Sequence, residues 1–216
     1  MKKRVAALIS GRGSNMTSLI AAAKDPAFPA EIALVLSNRP DAAGLETARK
    51  EGIAAVALDH KAYASREEFE RAMQRVLDEH KIDIVCLAGF MRLLTPWFVE
   101  QWSGKMLNIH PAILPLYKGL HTHERALADG VKLHGATVHF VVPGMDEGPI
   151  IAQAVVPVLS NDTPDTLGAR VLVQEHKLYP LALKLLASDR LSVDGTRVHI
   201  KEESATEGAL ISPEID

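Results

Sequence analysis

The amino-acid sequence predicts an α/β protein: a mostly parallel, twisted sheet with helices on both faces, its later strands partly antiparallel. Three observations carry this. Between residues 5 and 109, five short apolar runs alternate with amphipathic stretches. These runs are almost wholly apolar rather than alternating, which suits strands covered on both faces. After residue 110 the rhythm changes, and Leu133–Val142 alternates apolar with polar residues. A β-α-β-α order of this kind is Rossmann-like.

Each element has its own signal. Val5–Ile9 reads as a buried strand and Asn15–Lys24 as the helix after it. Glu31–Leu36 is a second strand, Ala42–Glu51 a second helix, and Ala54–Leu58 a third strand. Ser65–His80 is a charged helix opened by Ser65 with Glu68 three residues on, a capping-box pattern. Asp83–Ala88 is a strand, Thr95–Gln101 a short helix with Pro96 in its first turn, and Lys105–Ile109 a strand. Residues 111–120 form a loop, and His121–Asp129 a helix that Thr122 is placed to cap. Leu133–Val142 and Ile150–Val158 are strands separated by a loop at 144–149. Thr163–Leu186 is a long helix with a start signal at Asp162, and Pro180 should kink it. Leu191–Ile200 reads as a hairpin around Asp194-Gly195. Lys201–Asp216 is a polar, acidic tail with little to bury, expected to be mobile. We read residues 1–190 as a single catalytic domain and 191–216 as a C-terminal hairpin and tail.

Composition bounds the class. At 216 residues, 47% hydrophobic and 24% charged, the chain is an ordinary globular protein able to bury a sizeable core. A net charge of −3 gives no global pull toward nucleic acid or an anionic membrane. The single Cys86 cannot form an internal disulfide, which fits a reducing compartment. The N-terminal apolar run is too short for a secretion signal, and no stretch approaches a membrane span. A cytoplasmic enzyme is the expectation, with monomer and homodimer both open.

Four motifs carry chemistry. Ser10-Gly11-Arg12-Gly13-Ser14-Asn15 joins the first strand to the first helix, where glycines let backbone amides approach an anion and the helix dipole favours it. No Gly-Lys-Ser/Thr follows, Met16 takes the third-glycine place of a dinucleotide fingerprint, and the second strand ends in Ser37-Asn38-Arg39 rather than an acid. A phosphate monoester fits better than a dinucleotide. Asn108 and His110 stand two positions apart on a strand, so both point the same way, toward the crevice at its carboxyl end. A carbonyl there could be polarised by the amide and exchange protons with the imidazole. On these two residues alone, a turn-capping Asn and a satisfied polar His fit equally well.

The third motif is Gly89-Phe90-Met91-Arg92-Leu93-Leu94, either core or the wall of a pocket for a flat ring. The fourth combines the polar strand face of Gly135, Thr137 and His139 with Asp146 in a Gly-Met-Asp-Glu-Gly-Pro loop, where a carboxylate beside an imidazole would hold it charged and oriented. Glu175 falls on the apolar stripe of Leu167, Val171, Leu178, Ala182 and Leu185. Sugar hydroxyls or a salt bridge to Arg170 would satisfy it equally. His121-Thr122-His123-Glu124 lacks zinc spacing and a third ligand, so no metal is expected.

Read together, Ile9–Asn15, Leu87–Arg92, Leu107–Pro111, Gly119–His123, His134–His139 and Gln174–His176 resemble the phosphoribosylglycinamide formyltransferases, folate-dependent enzymes of purine synthesis. The resemblance runs from Val5 to about Arg190. It implies Asn108, His110 and Asp146 as the catalytic set, with 10-formyltetrahydrofolate as co-substrate, 5-phosphoribosylglycinamide as acceptor, and no metal. It implies a nucleotide site at Gly13, Ser14, Asn15, Met91 and Glu175. It implies a folate site at Arg66, Met91, Arg92, Leu93, Leu94, Asn108, Gly144, Met145 and Asp146. Glu147 stands where some members have glycine, and Leu172 where some have a polar residue.

Rival readings have distinct requirements. A formyltetrahydrofolate deformylase normally carries an N-terminal regulatory domain, for which the early first strand leaves no room. A methionyl-tRNA formyltransferase needs a C-terminal RNA-binding domain, and the residues after Arg190 are few and net acidic. A non-catalytic nucleotide-binding module does not need Asn108, His110 and Asp146 together.

Overall fold

A computed structural model describes residues 1–202 and 211–212; the expectation of a mobile tail falls mostly outside them. Among these residues, seven strands form one sheet: β1 (Lys3–Ile9), β2 (Ala30–Ser37), β3 (Ala54–Ala57), β4 (Ile84–Leu87), β5 (Met106–His110), β6 (Leu133–Phe140) and β7 (Ile150–Pro157). Their order is β3-β2-β1-β4-β5-β6-β7. β1 to β5 pair in parallel, and β6 runs antiparallel to both of its neighbours. The sheet is thus parallel where the strands are continuously apolar, and turns antiparallel after residue 110.

Among the described residues, six α-helices cover it: α1 (Ser14–Ala23), α2 (Ala43–Lys50), α3 (Arg66–Glu79), α4 (Pro96–Gln101), α5 (Thr122–Ala128) and α6 (Pro164–Ala187). Two apolar clusters lie on the two sheet faces. One joins Ile9, Met16, Leu45, Leu107, Val171 and Leu183, from strands and α1, α2 and α6. The other joins Leu8, Phe69, Met73, Leu87, Phe98 and Trp102, from strands, α3, α4 and the residue that ends α4. Tyr179 crosses from α6 to donate to the carbonyls of Leu87 and Leu107, fixing that helix against β4 and β5. Burial pushes the Cys86 thiol beside it up to about 12, as a core group.

Local signals resolve with some corrections. Ser65 caps α3 by accepting from the Glu68 N–H, while Glu68 reaches back to the Ala64 N–H, one residue earlier than a capping box requires. Thr163, not Asp162, caps α6, because Asp162 accepts two hydrogen bonds from Arg170 instead. That guanidinium holds the Asp162 carboxyl well below the usual carboxylate range. α6 continues through Pro180 without ending. Thr122 does not cap α5: the chain enters at His121 with φ 57°, and the Thr122 hydroxyl donates to the Pro111 carbonyl. The hairpin pairs β8 (Leu191–Asp194) with β9 (Arg197–Ile200), so the turn residues are Gly195-Thr196, with Gly195 at φ 58°. Among the described residues, no helix is long and apolar enough to cross a membrane.

Candidate active site

The strand order places a crevice where connections from neighbouring strands diverge, between β1 and β4. The loops leaving these strands are tied together. The Ser10 N–H donates to Gly89 O, and the Met91 N–H donates to Ser10 Oγ at 2.8 Å. A cavity of about 370 Å³ opens beside them, lined by Ser10, Gly11, Asn38, Arg39, His60, Gly89, Met91 and Arg92. Its lining does not include Asn108, His110 or Asp146, which gather further along the sheet edge.

Gly13 enters α1 at φ 68° and ψ 44°, a left-handed conformation that glycine adopts without steric cost. The first helical N–H groups after it have no partner within the helix. Asn15, in this first turn, donates from Nδ2 to Glu175 Oε2 at 2.6 Å. This answers where Glu175 finds its donor, and removes the salt bridge to Arg170, whose guanidinium is bound to Asp162. Glu175 is 6% exposed, and burial raises its carboxyl above the usual range, with the Asn15 hydrogen bond pulling the other way. Asn15 Oδ1 is buried without a partner among the described residues.

Asn108 and His110 lie at the carboxyl end of β5, opposite His139 and Thr137 of β6. Asp146 comes from the 144–149 loop. His110 Nδ1 stands 3.4 Å from Asp146 Oδ2, with side chains only 6% and 10% exposed. His110 Nε2 donates to the Tyr117 carbonyl at 2.9 Å. Both ring nitrogens face acceptors, an arrangement that only the doubly protonated ring satisfies in full. Asp146 Oδ2 also accepts from the Gly119 N–H at 2.8 Å.

His139 completes the set. Its Nδ1 meets the Phe140 carbonyl at 2.8 Å, which fixes the proton there and leaves Nε2 as an acceptor for Asn108 Nδ2 at 3.2 Å. Burial lowers His139 below the ordinary histidine range, against the pull of Phe140 O and Asp146, consistent with a neutral ring. Two acceptors then face each other across the 3.8 Å between His139 Nε2 and Asp146 Oδ1, so Asp146 serves His110 instead.

The loop carrying Tyr117 is braced. Thr137 Oγ1 donates to Ala112 O at 2.7 Å and accepts from Leu114 N and Gln153 Nε2. The Arg125 guanidinium covers the Tyr117 ring at 5.4 Å. Tyr117, His121 and Asp146 all have φ between 55° and 57°, unusual for residues with side chains and a marker of a locally held conformation. Gly148 has no room for a side chain, because a Cβ would collide with the Phe140 carbonyl. Lys118 pairs with Glu147 at 3.0 Å, joining the two loops at the surface.

The other anticipated residues are placed unevenly. Phe90 is core, whereas Met91 and Leu93 are 66% and 59% exposed, and Leu94 packs partly on the second cluster. Arg92 lies over the Phe69 ring at 5.4 Å. Arg66 is exposed on the first turn of α3, with no contact to the catalytic group, and Met145 is exposed beside Gly119. Among the described residues, no cluster of three or more His, Cys, Asp or Glu could hold a metal ion. The polar strand face signalled His139 and Thr137, but the Tyr117 carbonyl and Gly119 N–H act through backbone and leave no side-chain signature.

Comparison with known proteins gives the chain's relatives. The chain is 47% identical over 189 residues to phosphoribosylglycinamide formyltransferase of Escherichia coli, spanning 88% of this chain and 89% of that one. It is 50% identical over 204 residues to the human trifunctional purine biosynthetic protein adenosine-3, covering 94% of this chain but only 20% of that protein's length. Among solved structures, glycinamide ribonucleotide transformylase 1 from Symbiobacterium toebii superposes with a TM-score of 0.90 at 45% identity, over 92% of this chain and 94% of that one. Phosphoribosylglycinamide formyltransferase from Brucella melitensis does so with 0.84 at 54% identity, over 87% and 97%. The formyl transferase model matches residues 3–183, and the chain belongs to the formyl transferase family.

Proposed function

We propose that this chain transfers the formyl group of 10-formyltetrahydrofolate to the amine of 5-phosphoribosylglycinamide, giving the N-formyl product and tetrahydrofolate in de novo purine synthesis. The observation that carries the reading is the gathering of two pairs, Asn108 with His139 and His110 with Asp146, at the end of β5, with the Gly13–Asn15 loop on the same sheet edge. The names of the bacterial relatives support the choice of acceptor.

In this reading the amine nitrogen attacks the formyl carbon, and the carbonyl electrons move onto oxygen. Asn108, oriented by His139, donates its second amide hydrogen to the oxyanion. His110 rests with Nε2 on the Tyr117 carbonyl; a charged oxyanion is the stronger acceptor and displaces it. The tetrahedral intermediate collapses as the bond to the folate nitrogen breaks. That nitrogen gains a proton and the attacking amine loses one, with His110, held by Asp146, in reach of the exchange. The amides of Gly13, Ser14 and Asn15 hold the phosphate, and Glu175 with Asn15 Oδ1 receives ribose hydroxyls. Met91 contacts the nucleotide and, with Arg92, Leu93, Leu94, Gly144 and Met145, lines the folate site, with Arg66 at its outer end.

The test is consumption of 10-formyltetrahydrofolate with and without the glycinamide ribonucleotide. Turnover that depends on the nucleotide is expected. Equal loss of the formyl group without it would indicate a hydrolase and overturn the proposal.

A further inference from the structure

Glu70 is a buried acid that the chemistry above does not use. It sits on α3, 1% exposed, in the apolar cluster of Phe69, Met73, Phe98 and Trp102. Among the described residues it has no cationic partner. A carboxyl group in such a place is costly unless donors reach it, and an aliphatic side chain would fill the space at lower cost. Both donors come from Thr95: its N–H reaches Glu70 Oε1 at 2.8 Å, and its hydroxyl donates to Oε2. Thr95 in turn caps α4, accepting from the Phe98 N–H.

Thr95 is also the last residue of the segment leaving β4. Its first part is pinned through Ser10, which holds Gly89 O and Met91 N. Glu70 pins its far end. Between the two pins, Met91 and Leu93 are held out with 66% and 59% of their surface exposed. Unanchored, these apolar side chains would tend to fold back onto the neighbouring core. An apolar edge fixed at both ends is preorganised to meet a flat ring without ordering cost on binding.

We propose that Glu70, through Thr95, is a positioning residue for the folate pocket, setting the donor's affinity without touching it. This rests on the reading that residues 91–94 wall that pocket. The test measures KM for 10-formyltetrahydrofolate and for the nucleotide separately, with melting temperature as a folding control, in Glu70→Gln, Thr95→Val, Thr95→Ser and Leu93→Asp. Glu70→Gln turns an amide against one Thr95 donor, and Thr95→Val deletes the hydroxyl. Each should raise the folate KM about five- to twentyfold, with the nucleotide KM within about twofold. Thr95→Ser keeps both donors and should restore wild-type values. Equal rises in both KM values, or no rise in a folded Glu70→Gln, would overturn the proposal. Leu93→Asp separates the two ideas: if it leaves the folate KM unchanged, the wall itself is misassigned. If it raises that KM while Glu70→Gln does not, only the clamp fails.

Discussion

Replacing Asp146 with Asn removes one negative charge and little else. The amide oxygen can still accept from the Gly119 N–H, so the link between the two loops survives. What disappears is the attraction between the carboxylate and a positive His110 ring 3.4 Å away, worth about 5 kcal/mol at an effective dielectric constant of about 20. Because these side chains are 6% and 10% exposed, water replaces little of that attraction. If a little over half of it goes into keeping the ring positive where it meets the oxyanion, kcat falls by about two to three orders of magnitude. The assay is steady-state formyl transfer with both substrates saturating, alongside nucleotide affinity by calorimetry. The expected result is a large loss of kcat with nucleotide Kd within about twofold. A kcat within about threefold of wild type would refute the electrostatic role of Asp146.

Three further outcomes follow from the same geometry. Gly13→Val forces a branched side chain into φ 68°, 3.3 Å from Ile9 Cγ2. It should cost about 1–2 kcal/mol of stability and raise the nucleotide Kd at least about tenfold; unchanged affinity by calorimetry would remove Gly13 from the phosphate site. The Glu175 carboxyl is raised in the fold, so its unfavourable contribution is absent at low pH and grows as pH rises through the folded value. Glu175→Gln should therefore gain melting temperature relative to wild type on going from pH 4 to pH 8 while weakening nucleotide binding, and a constant difference would contradict the burial argument. His134 is lowered from 6.5 to about 4, chiefly by burial and then by His123. The unfolded chain takes the proton first, so His134 contributes up to about 3 kcal/mol of stability at neutral pH that is lost as pH falls from about 6.5 toward about 4. His134→Gln should flatten the fall in melting temperature over that window, and an unchanged slope would count against it.

Most strands of the parallel half were legible because burial on both faces leaves uninterrupted apolar runs such as Val5–Ile9. Asn108 and His110 were legible as a pair because strand geometry alone puts them on one face. Their partners were harder to read. Glu175 announced a need for donors, but whether Asn15 or Arg170 answered it depends on how α1 meets α6, a contact 160 residues apart in sequence. Thr122 looked like a cap, yet helix entry at His121 left its hydroxyl to hold Pro111. The carbonyl of Tyr117 and the amide of Gly119 belong to every residue equally, so no side-chain pattern could mark them. Glu70 was hidden inside a charged helix, where one acid among many gives no sign that it points inward.

The central claim is that His110 performs chemistry rather than binding. It is tested most directly by His110→Ala, with turnover and nucleotide affinity measured on the same preparation. A loss of about three orders of magnitude in kcat, with nucleotide Kd within about threefold of wild type, is the result predicted. Turnover that survives the substitution would contradict the account.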